Sequence, residues 1–247
     1  MAIFRPNERV AMVAKTRAGK SAFAMVLAGT IAMSLARTNW QVWVLDTKND
    51  PNDLVGWRSW GFRNIASEAD QATSPLGNAF YFKIDSKDAN GNDLSVVDQA
   101  QAIISAAYQR RTVLIVVDEY VSIVQSDRQA GTALKNVFQR GGGNNVGIIG
   151  LTQEPVYVPR QLLSQATHIF LFSLTYTYDI KWAKNICKQY VPPMERGDPH
   201  GFYYKWVDGP NADWQYYAHQ VEWYNELRIR LPVPPKLPPD AVSTPIW

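Results

Sequence analysis

The 247-residue chain is 46% apolar and 12% aromatic, enough for a substantial core, and its 25 Lys/Arg against 22 Asp/Glu leave a formal charge of +3. That balance excludes a polybasic tail or a single-sign block, so any nucleic-acid contact must come from local patches. One cysteine (Cys187) and three scattered histidines (His168, His200, His219) exclude a disulfide framework and a cysteine- or histidine-built metal cluster. The N-terminal MAIFRPNERV carries Arg5, Glu8 and Arg9 where a signal peptide needs an apolar run, and no apolar stretch approaches the ~18–20 residues of a membrane span. The expectation is a soluble, intracellular protein without an integral membrane segment.

In chain order, Arg9–Ala14 is a short apolar run followed by a Lys/Gly loop, and the Ala/Leu/Met-rich Ser21–Ala36 predicts a buried helix. Gln41–Leu45 reads as a strand ending in the turn Asp46 to Pro51, and residues 52–74 show no clear pattern. Ala79–Ile84 is a further strand candidate, 85–93 a polar loop, and Leu94–Gln109 a helix. Thr112–Val117 is a β-branched run of the kind covered on both faces of a sheet. Asp127–Arg140 predicts a helix stopped by Gly141-Gly142-Gly143. Val146–Leu151 and His168–Leu174 are buried strands, and Asp179–Gln189 is a helix ended by Val191-Pro192-Pro193. Phe202–Val207 and Trp214–His219 flank Asp208-Gly209-Pro210-Asn211 as a hairpin. Six of the 15 prolines fall in residues 231–247, which predicts an extended tail. Strands alternating with helices give an α/β class with a mostly parallel central sheet and helices on both faces.

Three motifs carry chemistry. Ala14-Lys15-Thr16-Arg17-Ala18-Gly19-Lys20-Ser21 fits the phosphate-loop pattern G-x-x-x-x-G-K-[ST] with Ala14 at the first glycine, between a strand and a helix as that motif requires. Backbone amides from Ala14 to Ala22 would cradle phosphates, Lys20 would reach the β- and γ-phosphates, and Ser21 would ligate Mg²⁺. Leu114–Val117 runs into Asp118-Glu119, where Asp118 would hold Mg²⁺ and Glu119 would polarise an attacking water. Val146–Leu151 ends in Thr152-Gln153, placing Gln153 as a candidate γ-phosphate sensor.

Together AKTRAGKS, LIVVDE and GIIGLTQEPVYVPRQLLSQATHIFLF resemble the FtsK/HerA superfamily of DNA-pumping ATPases over about residues 8–175. Val42–Asp46 with Thr47-Lys48 is similar to that family's second strand and its D-P-K ending. A chain of this size is more like the packaging ATPases of membrane-containing double-jelly-roll viruses than the larger cellular members. The resemblance implies a RecA-like (ASCE) P-loop ATPase domain over residues 1–230, with a C-terminal extension over 176–230 that includes the hairpin, and a Pro-rich tail over 231–247. It further implies ATP and Mg²⁺ as cofactors, a homo-oligomeric ring (pentamer or hexamer), double-stranded DNA as partner, a capsid or portal-vertex contact, and location in host cytoplasm and virion. Departures are Ala14 and Arg17 at family glycines. The family's trans-acting arginine finds its nearest match in Arg140, with Arg128 and Arg160 as competitors; Arg140 would stabilise charge on a neighbour's γ-phosphate.

A motor must hold DNA phosphates without reading bases, and Lys83, Lys87, Arg128 and Lys135 are the candidates. Thr47-Lys48-Asn49-Asp50 resembles a guanine-reading motif but precedes the DE strand, so it reads as a turn and the nucleotide as ATP. Trp40, Trp43, Trp57 and Trp60 sit among apolar neighbours and read as core. Trp206, Trp214 and Trp223 fit a subunit or capsid contact equally well, while His168 and Cys187 read as structural. Rival readings are a cellular-type translocase, a P-loop kinase and a nucleotide-gated assembly or secretion adaptor. The adjacent Asp-Glu pair favours water activation over a kinase.

Overall fold

The computed structural model describes residues 2–48, 51–64, 76–88, 90–124, 131–157, 160–210 and 212–230. Nine strands form one sheet: β2 (Arg9–Val13), β3 (Gln41–Asp46), β4 (Arg63–Asn64), β5 (Ala79–Lys83), β6 (Val113–Val117), β7 (Val146–Thr152), β8 (His168–Leu171), β9 (Phe202–Trp206) and β10 (Gln215–Tyr217). Their order is β10-β9-β8-β2-β7-β6-β3-β5-β4, parallel from β8 to β4, with β9 and β10 antiparallel at one edge. A separate pair joins β1 (Ala2–Phe4) to β11 (Leu227–Ile229) in parallel.

The buried strands carry apolar residues at every position because both faces are covered. Successive residues alternate between two cores: Val10, Met12, Leu114, Val116, Ile149 and Phe170 point to one, and Ala11, Val13, Ile115, Val117, Ile148 and Leu171 to the other. The first core is closed by α1 (Lys20–Leu35), α2 (Pro51–Ser59) and α7 (Gln220–Glu226), through Phe23, Leu27, Trp57 and Trp223. The second is closed by α3 (Val96–Arg110), α4 (Thr132–Arg140), α5 (Arg160–Ser164) and α6 (Thr177–Ile186), through Ile104, Val137, Leu162 and Ala183. Helix α1 is apolar on nearly every side, as a central helix must be. At Gly29 the ring of Trp60 lies so near that a Cβ would stand 2.3 Å from it, so no larger residue fits there.

Most strands and long helices fall where the sequence pattern puts them, shifted by one to three residues at their ends, as where the expected Asp179–Gln189 helix runs Thr177–Ile186. Three differences have physical causes. Residues 52–74 conceal α2, which buries only Trp57 and so shows no periodic stripe. Strand β8 ends at Leu171, short of His168–Leu174; beyond it Ser173 still accepts from the Lys15 amide at 2.9 Å, while its hydroxyl turns to accept from the Met194 amide at 2.7 Å. Trp223 is core rather than contact surface, packed on Phe23 and Phe170 at ring separations of 5.4 and 5.1 Å. The hairpin forms as β9–β10, pairing Gln215 with Tyr204. The expected Asp127–Arg140 helix begins only at Thr132, because Gly131 before it is extended (φ −60°, ψ 166°); residues 127–130 and the Pro-rich tail lie outside the described residues. His168 is buried between Glu8 (2.7 Å) and Tyr204 (2.8 Å), and Cys187 is buried, both structural.

Tyr120 follows β6 and is fully buried, its ring against Gly150 and Phe138, and its hydroxyl has no hydrogen-bonding partner among the described residues. Burial alone drives its phenol well above the usual range. Tyr120→Phe removes an unpaired polar atom at constant shape and is expected to raise stability by about 1 kcal/mol in urea unfolding. A loss of stability would mean that the hydroxyl is paired.

Candidate nucleotide site

The site is built at the carboxyl edge of the parallel strands, where β2, β6 and β7 end side by side. Between β2 and α1 the loop runs from Ala14 to Gly19. Its start is pinned by two backbone bonds, Ala14 N–H to Thr152 O at 3.1 Å and Lys15 N–H to Ser173 O at 2.9 Å. Gly19 has φ +85°, a conformation that suits glycine and turns the chain into α1 with its first amides free. The two departures from the glycine-rich pattern differ in cost. Ala14 keeps an ordinary negative φ, whereas exposed Arg17 has φ +62°, where an L side chain is strained.

Lys20 opens α1 and is almost wholly buried; its amine forms an ion pair with Glu119 Oε2 at 3.7 Å and finds no closer hydrogen-bond partner among the described residues. Burial pushes its ammonium down to about 8, opposed by the carboxylates of Glu119 and Asp118 and helped by the neighbouring Lys48. A buried cation whose carboxylate partner stands only at 3.7 Å, beside the start of a helix, is a feature a polyphosphate would satisfy. Ser21 donates to Asp118 Oδ1 at 3.3 Å, joining the helix start to the end of β6. A hydroxyl and a buried carboxylate on adjacent elements are hard oxygen donors of the kind Mg²⁺ takes when phosphates complete its shell. Thr16 of the loop donates to Gln153 Oε1 at the tip of β7. Lys15, Thr16, Arg17, Gly19, Lys20, Ser21, Lys48, Asp53 and Gln153 line a cavity of about 430 Å³.

Lys48 is a site residue that sequence reasoning missed, having read it as part of a turn. Its amine lies 3.0 Å from Asp118 Oδ2, and although burial works against its charge, Asp118 leaves its affinity for the proton raised. The signal was present in the similarity of Thr47-Lys48 to the D-P-K strand ending. Asp46, beside it, accepts from the Tyr81 hydroxyl and from the Lys48 amide, fixing the strand end.

Other expected residues are not gathered here. Arg140 is exposed at the C-terminus of α4, next to the start of β7 and therefore at the opposite edge of the sheet from Lys20 in the same chain. Arg160 opens α5, and Arg128 lies outside the described residues. Lys83 leaves the end of β5 paired with Asp85 at 2.7 Å, Lys87 is exposed in the loop that follows, and Lys135 is half-buried on α4. Among the described residues no group of three or more His, Cys, Asp or Glu could hold a metal by itself, and no helix is long and apolar enough to cross a membrane.

The order β2-β7-β6 inserts one strand between the loop strand and the Asp118-Glu119 strand, and that inserted strand carries Gln153. No family model and no curated protein matches the sequence. Solved structures do match. The genome packaging NTPase B204 from Sulfolobus turreted icosahedral virus 2, in complex with ATP-gammaS, aligns at a TM-score of 0.58 and 16% identity over 87% of this chain and 98% of that one. B204 from Sulfolobus turreted icosahedral virus, the DNA-packaging ATPase, gives 0.56 and 15% over 87% and 98%. The chain has a RecA-like P-loop fold. VirB4 of Thermoanaerobacter pseudethanolicus gives 0.50 and 14% over 76% of this chain and 82% of that one. The resemblance to viral packaging ATPases drawn from the sequence thus extends to the fold, and Ala14–Ser21 runs from the end of β2 into α1.

Proposed function

We propose that the protein is an ATP- and Mg²⁺-dependent motor that moves double-stranded DNA, packaging a viral genome into a capsid as a homo-oligomeric ring of five or six copies. The observation that carries this reading is the meeting of Lys20, Ser21, Asp118, Glu119 and Gln153 at the ends of three adjacent strands. The likeness to B204, a genome packaging NTPase, over nearly the whole of both chains supports it. Lys20 holds the β- and γ-phosphates, and Ser21 and Asp118 hold Mg²⁺, which when bound neutralises charge on the phosphate oxygens. Glu119, at the end of β6 and 15% exposed, orients a water and accepts its proton as it attacks the γ-phosphorus. Gln153, tied to the P-loop through Thr16, senses whether the γ-phosphate is present.

Because Arg140 stands at the far edge of its own chain, it reaches a γ-phosphate only from a neighbouring copy, which ties hydrolysis to the ring. Lys83, Lys87 and Lys135 are the DNA-contact candidates within the described residues. The motor works in the host cytoplasm and at the packaging vertex, against a capsid or portal-vertex protein.

Displacement of a third strand from linear duplex DNA tests translocation. ATP and Mg²⁺ are expected to drive displacement by the wild type, and a non-hydrolysable analogue is expected to drive none. Hydrolysis without displacement, or phosphoryl transfer to an added hydroxyl acceptor, would contradict the motor.

A further inference from the structure

We propose that His200 and Gln220, from the C-terminal extension, form the wall of the nucleotide site that holds the sugar and base of a nucleoside triphosphate. The inference rests on the P-loop reading. The γ end of the triphosphate is fixed by Gln153, Glu119 and Asp118 on one flank of the loop, so the nucleoside must leave past the other. Beside the loop's last residue, a Cβ built at Gly19 would stand 3.0 Å from Gln220 Nε2 and 3.1 Å from His200 Nδ1. Neither residue lines the cavity that contains Lys20 and Ser21, although Gly19, which both approach, does.

The two side chains are presented by braced backbone. His200 sits in the turn closed by Gly201 N–H to Asp198 O at 3.0 Å, with Asp198 Oδ2 accepting from Tyr216 at 2.6 Å. Gln220 begins α7, which is clamped to the first turn of α1 by the Tyr224 hydroxyl on Phe23 O at 2.7 Å and by Trp223 against the Phe23 ring. Gln220 Nε2 also points at His200 O, 3.5 Å away. His200 is exposed and Gln220 half-buried, so both can meet a ligand. The chemistry suits a nucleoside: an imidazole can stack on a base or hydrogen-bond a ribose hydroxyl, and a carboxamide offers a donor and an acceptor to either. This assigns the extension a direct part in nucleotide binding.

Binding of ATP and of inorganic tripolyphosphate, each with Mg²⁺, is compared by calorimetry on the full chain. His200→Ala and Gln220→Ala are expected each to weaken ATP about 3- to 10-fold while leaving tripolyphosphate unchanged. The unchanged polyphosphate also reports an intact fold. ATP affinity equal to wild type, or an equal loss for both ligands, would overturn the assignment. Lys20→Met serves as the separate control. Loss of both ligands there upholds the P-loop reading, and wild-type binding there would sink that reading whatever the His200 variant does.

Discussion

Lys20→Met is expected to weaken nucleotide binding about 100-fold while making the nucleotide-free protein more stable, by about 2 kcal/mol at pH 7. The lysine is held in the folded chain with its ammonium pushed down to about 8 by burial, against an ordinary 10.5. The sign follows from proton counting. Between pH 8 and 10.5 the unfolded chain binds more protons at this site than the folded one, so stability rises with pH through that window. Below pH 8 the full cost is present, about 3 kcal/mol for a shift of that size. Methionine fills the same volume without the charge and removes that cost, less what Glu119 loses with its cation at 3.7 Å. Urea unfolding at pH 7, 8, 9 and 10 measures the effect as a gap between variant and wild type that narrows as pH rises. The same substitution removes the cation that meets the phosphates, a loss on the order of 100-fold in ATP affinity. A variant less stable than wild type at pH 7 would contradict the account of Lys20 as a charge held in readiness for an anion.

Glu119→Gln is the second large effect. The amide keeps the shape of the carboxylate but cannot take a proton from water, so turnover is expected to fall by about 10²–10⁴ with ATP affinity retained or improved. Retention follows because Lys20, Ser21, Asp118 and the P-loop amides are untouched. The substitution also removes one of the carboxylates that hold the Lys20 proton, so the variant should gain more from a bound triphosphate than the wild type does. Single-turnover hydrolysis together with equilibrium ATP binding separates the two effects. Equal loss of binding and turnover would mean that Glu119 positions the P-loop rather than the water.

The legible parts of this chain are those where one short segment both forms the element and carries the chemistry. Val113–Val117 is buried at every residue and ends in Asp118-Glu119, so its sequence shows strand and depth together and sets the two proposed site carboxylates at its end. The proposed P-loop likewise sits between a strand and a helix that each declare themselves. What stayed hidden depends on partners far away in sequence. The β1–β11 pair joins Ala2 to Leu227 through three-residue strands that mean nothing until the chain ends meet. Helix α7 is short and mostly polar, and it exists because Trp223 and Tyr224 pack on Phe23. Lys48 reads as a turn residue until β3 and β6 pair and carry it to Asp118. His200 and Gln220 have no local motif, and only the return of the extension onto α1 brings them to Gly19.

The most direct test of the whole account is steady-state ATP hydrolysis by wild type and Glu119→Gln, with and without long linear duplex DNA, with oligomer mass recorded in the same samples by light scattering. The account predicts turnover that rises with DNA, appears with the mass of a ring, and vanishes in Glu119→Gln. Turnover by a monomer that ignores DNA, or turnover that survives Glu119→Gln, would contradict it.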